Sequence, residues 1–63
     1  MKDDILNKKQ AAEYLKISVP TVDRLMKARK IPYVKLDGRV LFLREALLDW
    51  LKKKQVVYRS NGK

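Results

Sequence analysis

The chain has 63 residues, enough for one small domain, and its 16 Lys+Arg against 7 Asp+Glu leave a formal charge of +9. It contains neither Cys nor His, so a disulfide staple is excluded, and zinc sites and the commonest nucleophile–base pairs have no support. A hydrophobic fraction of 46%, with no run long enough to span a bilayer and no signal peptide, predicts a folded, soluble, cytoplasmic protein that is not an enzyme and uses no cofactor or metal. The charge attracts polyanions, with nucleic acid first and acidic membrane surfaces or acidic proteins behind it.

Residues 1–5 show no periodic partner and are expected to be a flexible N-terminus ahead of a domain over residues 6–55. The first helix signal is Asn7-Lys8-Lys9-Gln10: Asn7 caps free N–H groups, Gln10 reaches back as in a capping box, and Leu6 with Ala11 forms a hydrophobic staple. Ala11, Ala12 and Leu15 continue the stripe, which places a helix near 7–16. Ser18 then caps a second helix over about 18–29, with Ile17 and Val22 as its staple. Pro20 fits its first turn, and Val22, Leu25 and Met26 fall on one face. About two residues separate the helices, as in a helix-turn-helix, with Lys16 standing where a turn glycine is usual.

From Ile31 the composition becomes β-branched and aromatic, and Asp37-Gly38 divides the stretch with a strong hairpin signal. A two-residue loop pairs Leu36 with Arg39 and Val34 with Leu41. One face then carries Val34, Leu36, Leu41 and Leu43; the other carries Tyr33, Lys35, Val40 and Phe42. Both faces are partly apolar, so the pattern leaves open which one meets the helices. Either Leu41 or Phe42 is expected to be substantially exposed, as a contact for a partner. A third helix follows over 44–55. Ala46, Leu47, Trp50 and Leu51 form its core stripe, and Lys52, Lys53 and Lys54 complement its C-terminal dipole. Residues 56–63 are expected to be a flexible basic tail. The expected fold is mainly α with a β-hairpin, a winged helix-turn-helix in the order α-α-β-β-α.

Ala11-Ala12-Glu13-Tyr14-Leu15, Ile17-Ser18 and Pro20-Thr21-Val22-Asp23-Arg24-Leu25 together resemble the opening of the excisionase-type DNA-binding domains, part of the wider MerR-like superfamily. The likeness continues through Ile31-Pro32-Tyr33-Val34-Lys35, Gly38-Arg39-Val40-Leu41-Phe42 and Arg44-Glu45-Ala46-Leu47 with Trp50-Leu51, covering about residues 6–52. The resemblance implies a second helix in the major groove and a hairpin wing on the backbone or in the adjacent minor groove. It implies DNA-binding positions at Ser18, Thr21, Asp23, Arg24 and Lys27 on that helix, and at Lys35, Gly38 and Arg39 in the wing. The implied roles are an excisionase-like accessory factor for site-specific recombination or a small transcription regulator of a mobile element. Its partners would be an integrase or the transcription machinery, with cooperative self-association on DNA. Three departures from the family pattern stand out: the apolar Val19-Pro20, the acidic Asp23, and Leu43, which offers no cap to the third helix.

The residue chemistry bears on these positions separately. Arg24 suits a bidentate contact to guanine or a phosphate contact. Asp23 accepts from a cytosine amino group or pairs with Arg24 or Lys27. Ser18 serves first as a helix cap, and Gly38 serves the turn through its backbone. Tyr14 is expected to pack at the edge of the core. A different class of function, a basic adaptor docking on an acidic protein, is the alternative.

Overall fold

The computed structural model describes residues 4–55. The expected tail at 56–63 and the first three residues lie outside the described residues. The elements are β1 (Ile5–Leu6), α1 (Lys8–Leu15), α2 (Val19–Lys27), β2 (Val34–Leu36), β3 (Arg39–Leu43) and α3 (Arg44–Lys53). Three helices and an antiparallel sheet of order β1-β3-β2 make a small winged helix-turn-helix.

Both predicted helix starts form. Gln10 N–H donates to Asn7 Oδ1 at 2.7 Å and Asn7 N–H donates to Gln10 Oε1 at 2.8 Å, which closes the capping box. Thr21 N–H donates to Ser18 Oγ at 3.3 Å, and Pro20 lies within the opening turn of α2. The helix ends share one device. Lys16, with φ of 60°, ends α1, and the Ile17 N–H reaches the Ala12 carbonyl at 2.9 Å. Arg29, with φ of 58°, follows α2, and the Lys30 N–H reaches the Leu25 carbonyl at 2.8 Å. Each is a Schellman closure in which a basic residue occupies the left-handed position that glycine fills most easily.

The hairpin has the predicted register, with Leu36 opposite Arg39, Lys35 opposite Val40 and Val34 opposite Leu41. Asp37 and Gly38 both have positive φ, at 51° and 78°, as a type I′ turn requires. The structure also decides between the two faces. Phe42 is fully buried and Val40 packs against the core, whereas Val34, Leu36 and Leu43 are exposed. The expectation that Leu41 or Phe42 is the exposed apolar residue is therefore corrected: Phe42 is buried, Leu41 is half-buried, and the exposure falls on their neighbours. Residues 33–39 of the wing are exposed, and Val40 and Phe42 bring its base against the core.

No pattern in the sequence foreshadows β1. Ile5 pairs with Leu43 and Leu6 with Phe42, so a third strand covers the far edge of β3 and puts Leu6 in the core. Residue 5, expected in a flexible terminus, is thus part of the sheet. The same segment compensates for the missing cap at Leu43, whose side chain makes no capping hydrogen bond. The Arg44 N–H donates instead to the Asp4 backbone carbonyl at 2.8 Å, which satisfies one of the free donors at the start of α3.

Leu6, Ala11, Ala12, Val22, Ile31, Phe42 and Leu47 form the core, with Tyr14, Leu15, Ile17, Leu25, Met26, Val40 and Trp50 packed around it. Ala11 and Ala12 are small enough to let α1 lie close to both α2 and β3. Leu51, expected in the core stripe, is 40% exposed. It sits near the C-terminal end of α3, where the helix runs past the residues that bury Leu47.

Candidate nucleic-acid interface

The period of α2 separates its inner and outer faces. Val22 is buried and Leu25 and Met26 are half-buried toward the core, so Pro20, Arg24 and Lys27 point the opposite way and are exposed. Arg24 and Lys27 are three residues apart and present two cations on one outer face. Thr21 lies on one flank, where its hydroxyl and that of Ser18 share a 2.8 Å hydrogen bond at the helix start. The Ser18 hydroxyl caps the helix and shares a hydrogen bond with Thr21, while the outer cations are available to a ligand.

Asp23 lies on the other flank, toward α1. Lys8 Nζ donates to Asp23 Oδ1 at 2.8 Å, an ion pair between the first turn of α1 and the middle of α2. That hydrogen bond holds the Asp23 carboxyl below its ordinary value against an opposing desolvation, and the charges of Lys8 and Lys27 lower it further. The residue chemistry offers Arg24 or Lys27 as the partner of Asp23, and the structure pairs it with Lys8 instead. The two residues are fifteen positions apart, so no local spacing rule connects them. The pair neutralises a carboxylate beside the outer face of α2 and ties the two helices together.

The wing carries the remaining sequence-derived positions. Residues 33–39 are all exposed. Arg39 shares a face with Leu36, while Lys35, opposite Val40, projects from the other face of the ribbon. Gly38 has open space around the position a Cβ would take, and its role is its φ of 78°. Among the described residues no hydrogen bond or ion pair joins the α2 positions to the wing positions, so the fold presents them as two separate cationic groups.

Tyr14 is half-buried against the core with the Arg44 guanidinium 5.9 Å from its ring centroid. Trp50 is half-buried, with Lys54 Nζ 5.6 Å from its ring. Both aromatic rings are packed side chains. Among the described residues, no group of acidic or other ligating side chains gathers as a metal site, and no helix is long and apolar enough to cross a membrane.

No curated protein and no solved structure matches the chain. The family described as a helix-turn-helix domain matches residues 5–55, from the first strand to just past α3. The exposed cationic outer face of a second helix, held by a short turn against the first, is the arrangement of a DNA-binding helix-turn-helix, and the chain belongs to that helix-turn-helix domain family.

Proposed function

We propose that the protein binds duplex DNA by placing α2 in the major groove and the wing on the backbone or in the adjacent minor groove. It acts as an excisionase-like accessory factor for recombination or as a small transcription regulator, with no chemistry of its own. The observation that carries this reading is the outer face of α2, where Arg24 and Lys27 are exposed on a capped helix whose inner face is packed in the core. Thr21, Ser18 and the wing residues Lys35, Gly38 and Arg39 extend the same surface, and Asp23 serves it by holding the angle between the helices. An integrase or the transcription machinery is the protein partner of this reading, and copies bound to neighbouring sites assist one another.

A salt titration tests it. Contacts from Arg24, Lys27, Lys35 and Arg39, with one or two helix N–H groups, release about four to six counterions, giving a slope of log K on log salt near −4 to −5. A flat dependence below about 0.2 M salt removes the electrostatic basis of the reading. Binding that is salt-dependent on an acidic protein but absent on duplexes would instead establish the adaptor.

A further inference from the structure

We propose that Leu36 is an apolar wedge that enters a base step of duplex DNA from the minor groove while Arg39 holds the adjacent phosphate. The proposal rests on the DNA-binding reading and assigns one residue of the wing a role in deforming the duplex. Leu36 is 59% exposed, the highest value among the large apolar side chains of the described residues. It is the last residue of β2, directly before the Asp37-Gly38 turn, so it stands at the far end of the hairpin from the core. An isolated surface leucine needs no special account, but this one has a particular neighbour. The register places it opposite Arg39 on the same face of the ribbon, with Cβ atoms about 5 Å apart.

That pair has two unmet requirements. The leucine tip gains by leaving water, and the guanidinium gains from a phosphate. The minor groove supplies both within a few ångströms, since its floor is the edge of the base stack and its walls are phosphates. At about 6 Å wide it admits a single branched side chain more readily than the full ribbon. Val34 and Leu41 stand behind Leu36 on the same face and give it an aliphatic backing. Leu43 and Ile5 share the face too, but they lie at the base of the hairpin, about 13 Å along β3 from the tip. Among the charged groups around the wedge, Lys35 projects from the opposite face toward a phosphate, and the Asp37 carboxylate at the turn opposes both contacts. Aliphatic side chains inserted in this way unstack a step and bend the duplex, most readily at pyrimidine–purine steps.

The test uses a duplex selected from random sequence for binding to the full chain, with 2-aminopurine placed at successive positions and a terminal dye reporting binding by anisotropy. The expected result is a rise of at least twofold in 2-aminopurine fluorescence confined to one step beneath the wing. Leu36→Ser should reduce that rise at least threefold while leaving the salt slope unchanged, and Leu36→Met should restore most of it. A thermal melt checks that Leu36→Ser remains folded. If anisotropy reports tight binding and no position brightens, the wedge is overturned and the DNA reading stands. If no duplex is bound, the DNA reading fails and the wedge fails with it. If Leu36→Ser removes only the steepness of the binding curve, leaving the 2-aminopurine signal intact, Leu36 contacts a second copy and the proposal is overturned.

Discussion

The α1–α2 unit and the wing present cations to the same kind of ligand but are held in place by different forces. In the helical unit the starts are capped by Asn7 and Ser18, the ends are closed at Lys16 and Arg29, and Ala11, Ala12 and Val22 are buried between the elements. In the wing, residues 33–39 are exposed, and a five-residue strand, a three-residue strand and one tight turn carry them. The helices therefore offer Arg24 at a fixed height and angle, as discrimination between base edges requires. The wing offers Lys35 and Arg39 on an arm anchored mainly through Phe42 and Val40, which suits contacts to a backbone whose position varies with sequence. Precision comes from buried neighbours, and compliance comes from their absence.

The largest expected effect separates the two regions at their junction. Phe42 is the only fully buried side chain of the hairpin among the described residues, and Phe42→Ala should cost about 3–5 kcal/mol. That is of the order of the whole stability of a domain this size, about 3–5 kcal/mol. The variant should be largely unfolded at 25 °C by circular dichroism, whereas Leu36→Ala, on the exposed face, should shift stability by less than about 0.5 kcal/mol.

The next effect concerns recognition. Arg24→Ala should weaken binding by about 1–3 kcal/mol and relax preference at one base pair, as for the loss of a guanine contact. Arg39→Ala should weaken binding to all duplexes by the same factor, because a phosphate contact carries no base information. Equal, sequence-independent losses for the two variants, measured on a panel of single-base substitutions, would remove the division of labour between rigid helix and compliant wing.

A smaller effect should have the opposite sign. Asp37 has positive φ in the turn, and Asn serves that conformation at least as well. Asp37→Asn should keep the hairpin and remove a carboxylate from beside the phosphates, tightening binding by about 1 kcal/mol or less at low salt. Unchanged affinity would place the wing tip away from the DNA.

The smallest is a dependence on pH. The Asp23 carboxyl is held low in the folded state by Lys8, so its contribution to stability is complete above the unfolded value near 3.9 and is lost as pH falls through the lower folded value. The stability difference between the protein and Asp23→Asn, measured by urea unfolding, should therefore be constant near neutrality and shrink only in the acid range. A difference that persists unchanged at about pH 2 would mean that the carboxylate charge contributes nothing.

What was legible in the sequence follows the same division. The Asn7–Gln10 box, the Ser18 cap, and Asp37 with Gly38 act over three residues or fewer, and these local signals locate both helix starts and the hairpin register. Three features depended on distant chain. The choice between the hairpin faces required knowing that α1 and α3 both pack on β3. The pairing of Asp23 with Lys8 spans two helices. The strand at Ile5–Leu6 is too short to show a period of two, and Leu6 reads equally well as one half of a staple with Ala11. The candidate site was legible as an outer helix face, because the apolar positions of α2 define it by exclusion. The opposite orientations of Lys35 and Arg39 follow from the predicted register, which sets Arg39 opposite Leu36 and Lys35 on the other face, and the ladder has that register.

The pairing of Ile5 with Leu43 has a further consequence, for the order in which the chain assembles. The helix caps, the interhelical turn and the hairpin each close within a few residues, and such contacts form early because they sacrifice little chain freedom. The β1–β3 ladder must bring together residues 38 positions apart, and the first N–H of α3 waits for the Asp4 carbonyl that arrives with it. During synthesis the first strand leaves the ribosome well before its partner exists, so the edge of β3 and the start of α3 are completed last. β1 is the closing piece of the fold.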